Sequence, residues 1–147
     1  MGRNSSMLAP YVSKLPAGCF SGPESHCLAV LPDQAWTGYS LVAAGNDQRG
    51  LVFAIYTLTE VVLGRQPYDA FLDTPYDVQS TVTVSMASVA AAVFPPPRYP
   101  YRAFFINDED LFGGLGDPLA HSVYSAQVWD KFCEVLLRMK GLLKTNK

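Results

Sequence analysis

The sequence predicts an α/β protein, because short apolar runs typical of strands alternate with stretches whose apolar residues recur at helical spacing. The 147 residues are 49% hydrophobic, which is enough for a core, and only 16% charged. A formal net charge of −2 argues against a basic nucleic-acid-binding domain. No uninterrupted apolar run reaches the roughly 18 residues of a membrane-spanning helix.

Two strands and a helix are predicted first along the chain. Residues 27–31 and 39–44 are apolar runs bounded by turn-forming residues, as in strands. Asn46 or Asp47 can cap a helix over about 47–63, since a short side-chain acceptor binds the free N–H groups of a first turn. The apolar stripe of this helix is Leu51, Ile55, Leu58 and Val62.

The next stretch carries a loop, a third strand and a boundary. Residues 65–77 are rich in Pro and Asp and indicate a loop. Residues 78–86 alternate between apolar and polar side chains, which predicts a half-buried strand. The Ala-rich residues 87–92 suit one helical turn, and the three prolines at 95–97 suit a stiff spacer.

These features divide the chain into four parts. We expect a poorly ordered N-terminus over 1–24 and an α/β domain over 25–94 with a mixed sheet and a helix. A Pro-rich linker follows over 95–100, and the remaining residues, 101–147, have a different pattern. There the apolar run 103–106 predicts a strand near 102–106 that is buried on both faces, and a later amphipathic stretch predicts a helix near 125–140. Together they indicate one β/α unit.

Polar residues follow that buried strand directly: Asn107, Asp108, Glu109 and Asp110. In barrels and open α/β sheets the chemistry lies at this end of the strands. Crowded carboxylates shift one another's pKa values apart, which suits general acid/base work such as glycoside hydrolysis. Adjacent side chains diverge, so a second catalytic acid would have to come from elsewhere. A solvated loop or helix cap remains the alternative.

Two other kinds of site, a phosphotransferase site and a metal or disulfide site, have less support in the sequence. Asp108 and Asp110 after an apolar run resemble the start of Mg²⁺-dependent aspartate phosphotransferases, but Phe112 stands where that family has Thr or Val. The three cysteines form no CxxC pair and leave one thiol over, which argues against a disulfide scaffold and a structural zinc site. With His26 and His121 far apart, we expect no metal and no cofactor.

The first residues allow three interpretations. No apolar block typical of a secretory signal is present in residues 1–20. Gly2 fits a loose N-myristoylation pattern, and Asn4-Ser5-Ser6 fits an N-glycosylation acceptor. The two modifications belong to different cellular routes and exclude each other. The third interpretation is an unmodified, frayed terminus.

Two segments together resemble glycoside hydrolase family 115, the xylan α-1,2-glucuronidases. One is 101–110 (YRAFFINDED), followed by 113–116 (GGLG) and a helix that reaches residue 140. The other lies upstream, at 45–50 (GNDQRG) and 55–60 (IYTLTE). They occur in the order and at the distance found in that family. The resemblance covers roughly residues 25–140.

The resemblance implies an N-terminal α/β domain and the first strand and helix of a (β/α)8 catalytic barrel. It implies Asp108 and Glu109 as catalytic acids, with Asn107 and Asp110 beside them as substrate-binding residues. Asp47 and Arg49 would also approach the sugar. The partner would be glucuronoxylan or an oligosaccharide of it, from which (4-O-methyl)glucuronic acid is removed. For Asp47 and Gly50, a helix cap with a glycine for close packing remains an equal alternative.

The same resemblance implies a truncated, inactive enzyme, because the family continues through seven more β/α units after the point that corresponds to Lys147. The competing hypothesis from another class is a non-catalytic carbohydrate-binding or interaction module that keeps the N-terminal domain.

Overall fold

The described residues form a small mixed α/β fold, in which three strands make one sheet and two α-helices are present. The computed structural model describes residues 2–33, 37–69, 80–84, 91–103 and 126–140. Its regular elements are β1 (His26–Pro32), β2 (Tyr39–Gly45), α1 (Gln48–Leu63), β3 (Ala91–Phe94) and α2 (Ala126–Arg138). The predicted strands 27–31 and 39–44 and the predicted helices near 47–63 and 125–140 are therefore confirmed.

The sheet has the order β2-β1-β3, with β1 in the centre. Both neighbours run antiparallel to β1, so that His26 lies opposite Gly45 on one side and opposite Phe94 on the other. The expectation of a mixed sheet is wrong for these three strands. The connection from β1 to β2 is short, and a short connection permits only antiparallel pairing.

The central strand is covered on both faces. Because side chains alternate along a strand, Cys27, Ala29 and Leu31 share one face, whereas His26 and Leu28 share the other. The first three belong to a buried cluster that includes residues from before β1. The second face meets α1, where the His26 ring contacts Phe53. Full coverage explains why β1 has an almost continuous run of buried residues.

The residues before β1 form one of these covering layers. Residues 2–25 run through successive turns, with a short 3₁₀ turn at Val12–Lys14. Leu8 is fully buried, and the Arg3 amide donates to the Gly45 carbonyl at 3.1 Å. For residues 1–24 we expect a poorly ordered terminus, and their apolar residues have no periodic spacing. In the structure those residues pack against the sheet singly, which no periodic pattern can signal.

A disulfide joins this layer to the central strand. Cys19 and Cys27 are bonded, with their Cα atoms 5.0 Å apart, and both are almost completely buried. Cys133 is a free and exposed cysteine. An odd number of cysteines without a CxxC pair argues against a disulfide scaffold, yet this one disulfide is present. The bridge forms because the turns between Cys19 and β1 bring the chain back beside Cys27.

Close backbone packing joins β2 to the first turn of α1. A Cβ atom added at Gly45 would lie 2.1 Å from the Leu51 nitrogen, so only glycine fits at the end of this strand. The helix ends at Gly64, which adopts a left-handed φ of 66° and whose N–H donates to the Thr59 carbonyl. Asp47 caps the start, as the sequence predicted.

The third strand lies later in the chain than predicted. Residues 80–84, the described part of the predicted strand 78–86, form no strand, and Val82 is exposed. The edge of β1 is taken instead by Ala91–Phe94, part of which was expected to be a helical turn. Alternating apolar and polar residues show that a segment suits a half-buried strand. Which segment pairs with β1 depends on the contacts that β1 offers. Of the predicted strand 102–106, residues 102 and 103 are not in a strand, and the rest lies outside the described residues.

The chain divides into two units, Met1–Gln66 with Asp77–Pro100, and Pro67–Tyr76 with Tyr101–Lys147. The sheet and α1 belong to the first. In the second, α2 carries an ion pair one turn apart between Glu134 and Arg138, at 2.7 Å. No (β/α)8 barrel is formed by the described residues. Among those residues, no helix is long and apolar enough to cross a membrane.

We expect Gly45→Ala to lower the free energy of unfolding by at least about 2 kcal/mol, since the new methyl group would force β2 away from the first turn of α1. Urea denaturation monitored by circular dichroism measures this. Gly38→Ala is the matched control, because an added Cβ there meets nothing within 4 Å; its effect should stay within about 0.5 kcal/mol. Equal effects of the two substitutions would contradict the close packing.

Candidate functional site

Asp47 joins the start of α1 to the loop before β1. One carboxylate oxygen, Oδ1, accepts from the Gly50 amide at 2.8 Å and so caps the helix. The other, Oδ2, accepts from the Glu24 amide, also at 2.8 Å. A single carboxylate therefore satisfies two backbone N–H groups, one from the loop at Glu24 and one from the first turn of α1 at Gly50. Its negative charge also lies at the positive end of the helix dipole.

Arg49 lies in the first turn of the same helix and is held on two sides. Its Nη1 pairs with Glu24 Oε1 at 3.1 Å, and its guanidinium carbon lies 5.8 Å from the centre of the Phe53 ring. The Arg49 side chain nevertheless keeps 59% of its surface exposed, whereas that of Glu24 keeps 9%. The outcome is an oriented guanidinium that solvent or a ligand can reach.

The backbone of Glu24 and Ser25 is packed tightly against the helix start. Glu24 has a φ of 62°, in the left-handed region that is uncommon for a residue with a long side chain. The Asn46 amide donates to the Ser25 carbonyl at 3.0 Å. A Cβ atom on Gly50 would lie 2.6 Å from that carbonyl oxygen. Gly50 is therefore required for the close approach of the two segments.

His26 lies directly behind this corner and is almost completely buried. Its Nδ1 is 3.2 Å from the Glu24 carbonyl oxygen, which can only accept, so Nδ1 donates. In the neutral ring Nε2 then accepts from the Thr57 hydroxyl at 3.1 Å. The ring also stacks on Phe94, with centroids 4.6 Å apart. Both ring nitrogens have protein partners, which makes His26 a structural part of the core.

We call Glu24, Asp47 and Arg49 the helix-start cluster. Of the residues that the sequence singled out, the structure brings Asp47 and Arg49 into this cluster. Asp47 caps the helix and Gly50 packs closely, as the structural alternative had it. The other candidates, Asn107, Asp108, Glu109 and Asp110, lie outside the described residues. Within the residues that are described, no three His, Cys, Asp or Glu side chains group as metal ligands.

Glu24 was missed by sequence reasoning. It stands alone among small and polar residues, and no spacing relates it to Arg49, which follows 25 positions later. Only the return of the chain through β1 and β2 brings the two charges together. The one sequence signal was indirect: Gly50 in the first turn of a helix indicates that another segment approaches there.

Arg49 is the cation of the helix-start cluster, whereas Glu24 and Asp47 are carboxylates, so an anion bound there would contact Arg49. A guanidinium presents donors in a planar fork that matches a carboxylate, and it keeps its charge at every physiological pH. Here the fork is oriented by Glu24 and Phe53 before any ligand arrives, which lowers the entropy lost on binding.

We expect Asp47→Ala to destabilise the protein by about 2–3 kcal/mol, because it removes a helix cap and also leaves the Glu24 amide without its acceptor. Asp47→Asn should cost less, since its amide keeps one acceptor oxygen. Asp130→Asn on the exposed surface of α2 is the control and should stay within about 0.5 kcal/mol. Thermal denaturation measures all three. An Asp47→Ala variant as stable as the control would show that the two hydrogen bonds contribute nothing.

No protein-family model matches the chain, and no curated protein matches it.

Proposed function

We propose that this chain is part of a glycoside hydrolase similar to the xylan α-1,2-glucuronidases, which remove (4-O-methyl)glucuronic acid from xylan. The proposal is supported by the two segments 45–60 and 101–116, which resemble that family in the same order along the chain. In it, Asp108 and Glu109 are the catalytic acids, with Asn107 and Asp110 as neighbouring substrate ligands. Asp47 and Arg49 contribute from the N-terminal domain.

One observation favours an acidic sugar over a neutral one. The Arg49 guanidinium is oriented by a buried carboxylate and an aromatic ring and is still 59% exposed. Glucuronic acid carries a carboxylate, which a guanidinium binds through two parallel hydrogen bonds. The xylose units of the main chain carry no charge. Arg49 is therefore suited to distinguish the branch sugar from the backbone of the polysaccharide.

The proposed catalytic step requires a further carboxyl group besides the two consecutive acids Asp108 and Glu109. Glycosidic cleavage needs two carboxyl groups on opposite sides of the bond, about 5–5.5 Å apart for retention and about 6.5–9.5 Å for inversion. Asp108 and Glu109 are consecutive, and consecutive side chains at a strand end diverge. The second carboxyl group of the pair would come from a later strand of a complete barrel.

The structure of the first unit favours a second candidate, a carbohydrate-binding module without catalysis. Its buried cluster draws on residues from the N-terminal turns, β1 and β2, and the Cys19–Cys27 disulfide lies inside it. A unit with its own core and disulfide is suited to fold independently, as a separate binding module does. Under this alternative, Arg49 would hold the acidic sugar and no bond would be cleaved.

We expect the chain to bind a xylo-oligosaccharide with a glucuronic acid branch and not the unbranched oligosaccharide of equal length. Isothermal titration calorimetry measures both. Arg49→Ala should weaken binding by about tenfold, since a hydrogen bond to a charged group contributes about 1.5–3 kcal/mol. Arg98→Ala, an exposed arginine beside Tyr99, is the matched control and should bind like the parent chain. Equal affinity for the charged and neutral sugars would overturn the proposed role of Arg49.

We expect no release of glucuronic acid from glucuronoxylan by this chain alone, because members of a catalytic pair act as a unit. The same chain extended by the remaining β/α units of a family 115 barrel should release it, and Asp108→Asn or Glu109→Gln in that longer protein should then reduce the rate by several orders of magnitude. Binding without release in the completed protein would favour the non-catalytic module. If the 147-residue chain released glucuronic acid and lost this activity on Glu109→Gln, a second carboxyl group from a later strand would not be needed.

A further inference from the structure

We propose that Glu24 is the positioning residue of Arg49, and that the disulfide-closed loop from Cys19 to Cys27 holds Glu24 in place. The function of this arrangement, to present an oriented guanidinium to an acidic sugar, rests on the function proposed above. The arrangement itself rests only on contacts between described residues.

The burial of the two charged groups is unequal, and this assigns their roles. Glu24 has 9% of its side-chain surface exposed, whereas Arg49 has 59%. Removing a carboxylate from water is costly unless a partner compensates its charge. Glu24 is therefore fixed by its surroundings, and the long, flexible Arg49 side chain takes its orientation from Glu24. The Phe53 ring restricts movement of the Arg49 guanidinium on its other side.

The backbone at Glu24 needs external support. Its φ of 62° is a left-handed conformation that a glutamate does not favour by itself. Support comes from Asp47, whose Oδ2 accepts from the Glu24 amide, and from the Asn46 amide, which donates to the neighbouring Ser25 carbonyl. Both contacts come from residues that directly precede α1.

The loop that carries Glu24 is closed from the other side by covalent and hydrogen bonds. The disulfide joins its two ends, Cys19 and Cys27, eight positions apart. Inside it, the buried Ser25 hydroxyl lies 3.1 Å from the Cys19 carbonyl and 2.7 Å from that of Gly22, and it receives the Gly22 amide. A loop this short and this cross-linked has few conformations. The loop thus holds the Glu24 backbone from the side of β1, as Asn46 and Asp47 hold it from the start of α1.

The test follows each arginine separately in the full chain. Phenylglyoxal reacts with accessible guanidinium groups, and peptide mass spectrometry gives the rate at each site. Glu24→Gln keeps the side-chain size, the loop and the backbone bond to Asp47 but removes the charge. We expect it to speed the modification of Arg49 about two- to fivefold, the range that a partly exposed ion pair supports, with hydrogen exchange at the Gly50 amide unchanged.

Glu134→Gln on α2 is the matched control, because it removes the carboxylate that pairs with Arg138. It should speed the modification of Arg138 and leave Arg49 unchanged. An unchanged rate at Arg49 in Glu24→Gln would overturn the positioning role. No sugar is present in this experiment, so its result is independent of whether the chain binds glucuronic acid.

The contribution of the loop is tested by two further variants. Cys19→Ala combined with Cys27→Ala opens the covalent closure, whereas Ser25→Ala keeps the disulfide and removes the hydroxyl. Both should speed hydrogen exchange at the Glu24 amide and modification of Arg49 by at least about threefold, since both loosen a locally closed segment. Cys133→Ala, at the free cysteine, should change neither. Parent-like rates at Glu24 and Arg49 in Ser25→Ala, or in a folded double variant, would overturn the role of the loop.

Discussion

The Asp47 carboxylate is the interaction on which the rest of the first unit depends. Its two oxygens receive one amide from the first turn of α1 and one from the loop before β1. Without it, the helix would lose its cap and Glu24 would lose the partner that supports a left-handed backbone. The helix start and the loop before β1 are thereby joined at a single side chain. The charge of that side chain also suits the positive end of the helix.

Two glycines make this junction possible from the backbone side. Gly45 lets the end of β2 touch the first turn of α1, and Gly50 lets the Ser25 carbonyl approach the same turn. Neither site has room for a methyl group. The hydrogen bond from the Gly50 amide to Asp47 and the close approaches at Gly45 and Gly50 thus all involve the first turn of α1. Because His26 also binds the Glu24 carbonyl from behind, the corner is continuous with the buried core.

The disulfide gives the opposite face of β1 a comparable constraint. Cys27 lies on the face that the N-terminal turns cover, and its bond to Cys19 joins that layer to the central strand. A cross-link of this kind stabilises chiefly by limiting the unfolded chain. The same bond closes the loop that carries Glu24. Core stability and the orientation of Arg49 therefore both depend on the segment from Cys19, in the N-terminal turns, to Cys27, in β1.

The sequence by itself determined the local elements: β1, β2, α1 with its Asp47 cap and Gly64 end, and α2. Each of these depends on period, capping or turn residues within a few positions, so their signal is present in the sequence. Only the tertiary structure decided the rest. The choice of Ala91–Phe94 over residues 78–86 as third strand, the Cys19–Cys27 bond and the pairing of Glu24 with Arg49 all join distant segments. Such contacts depend on how the chain returns to itself, and no local pattern records that path.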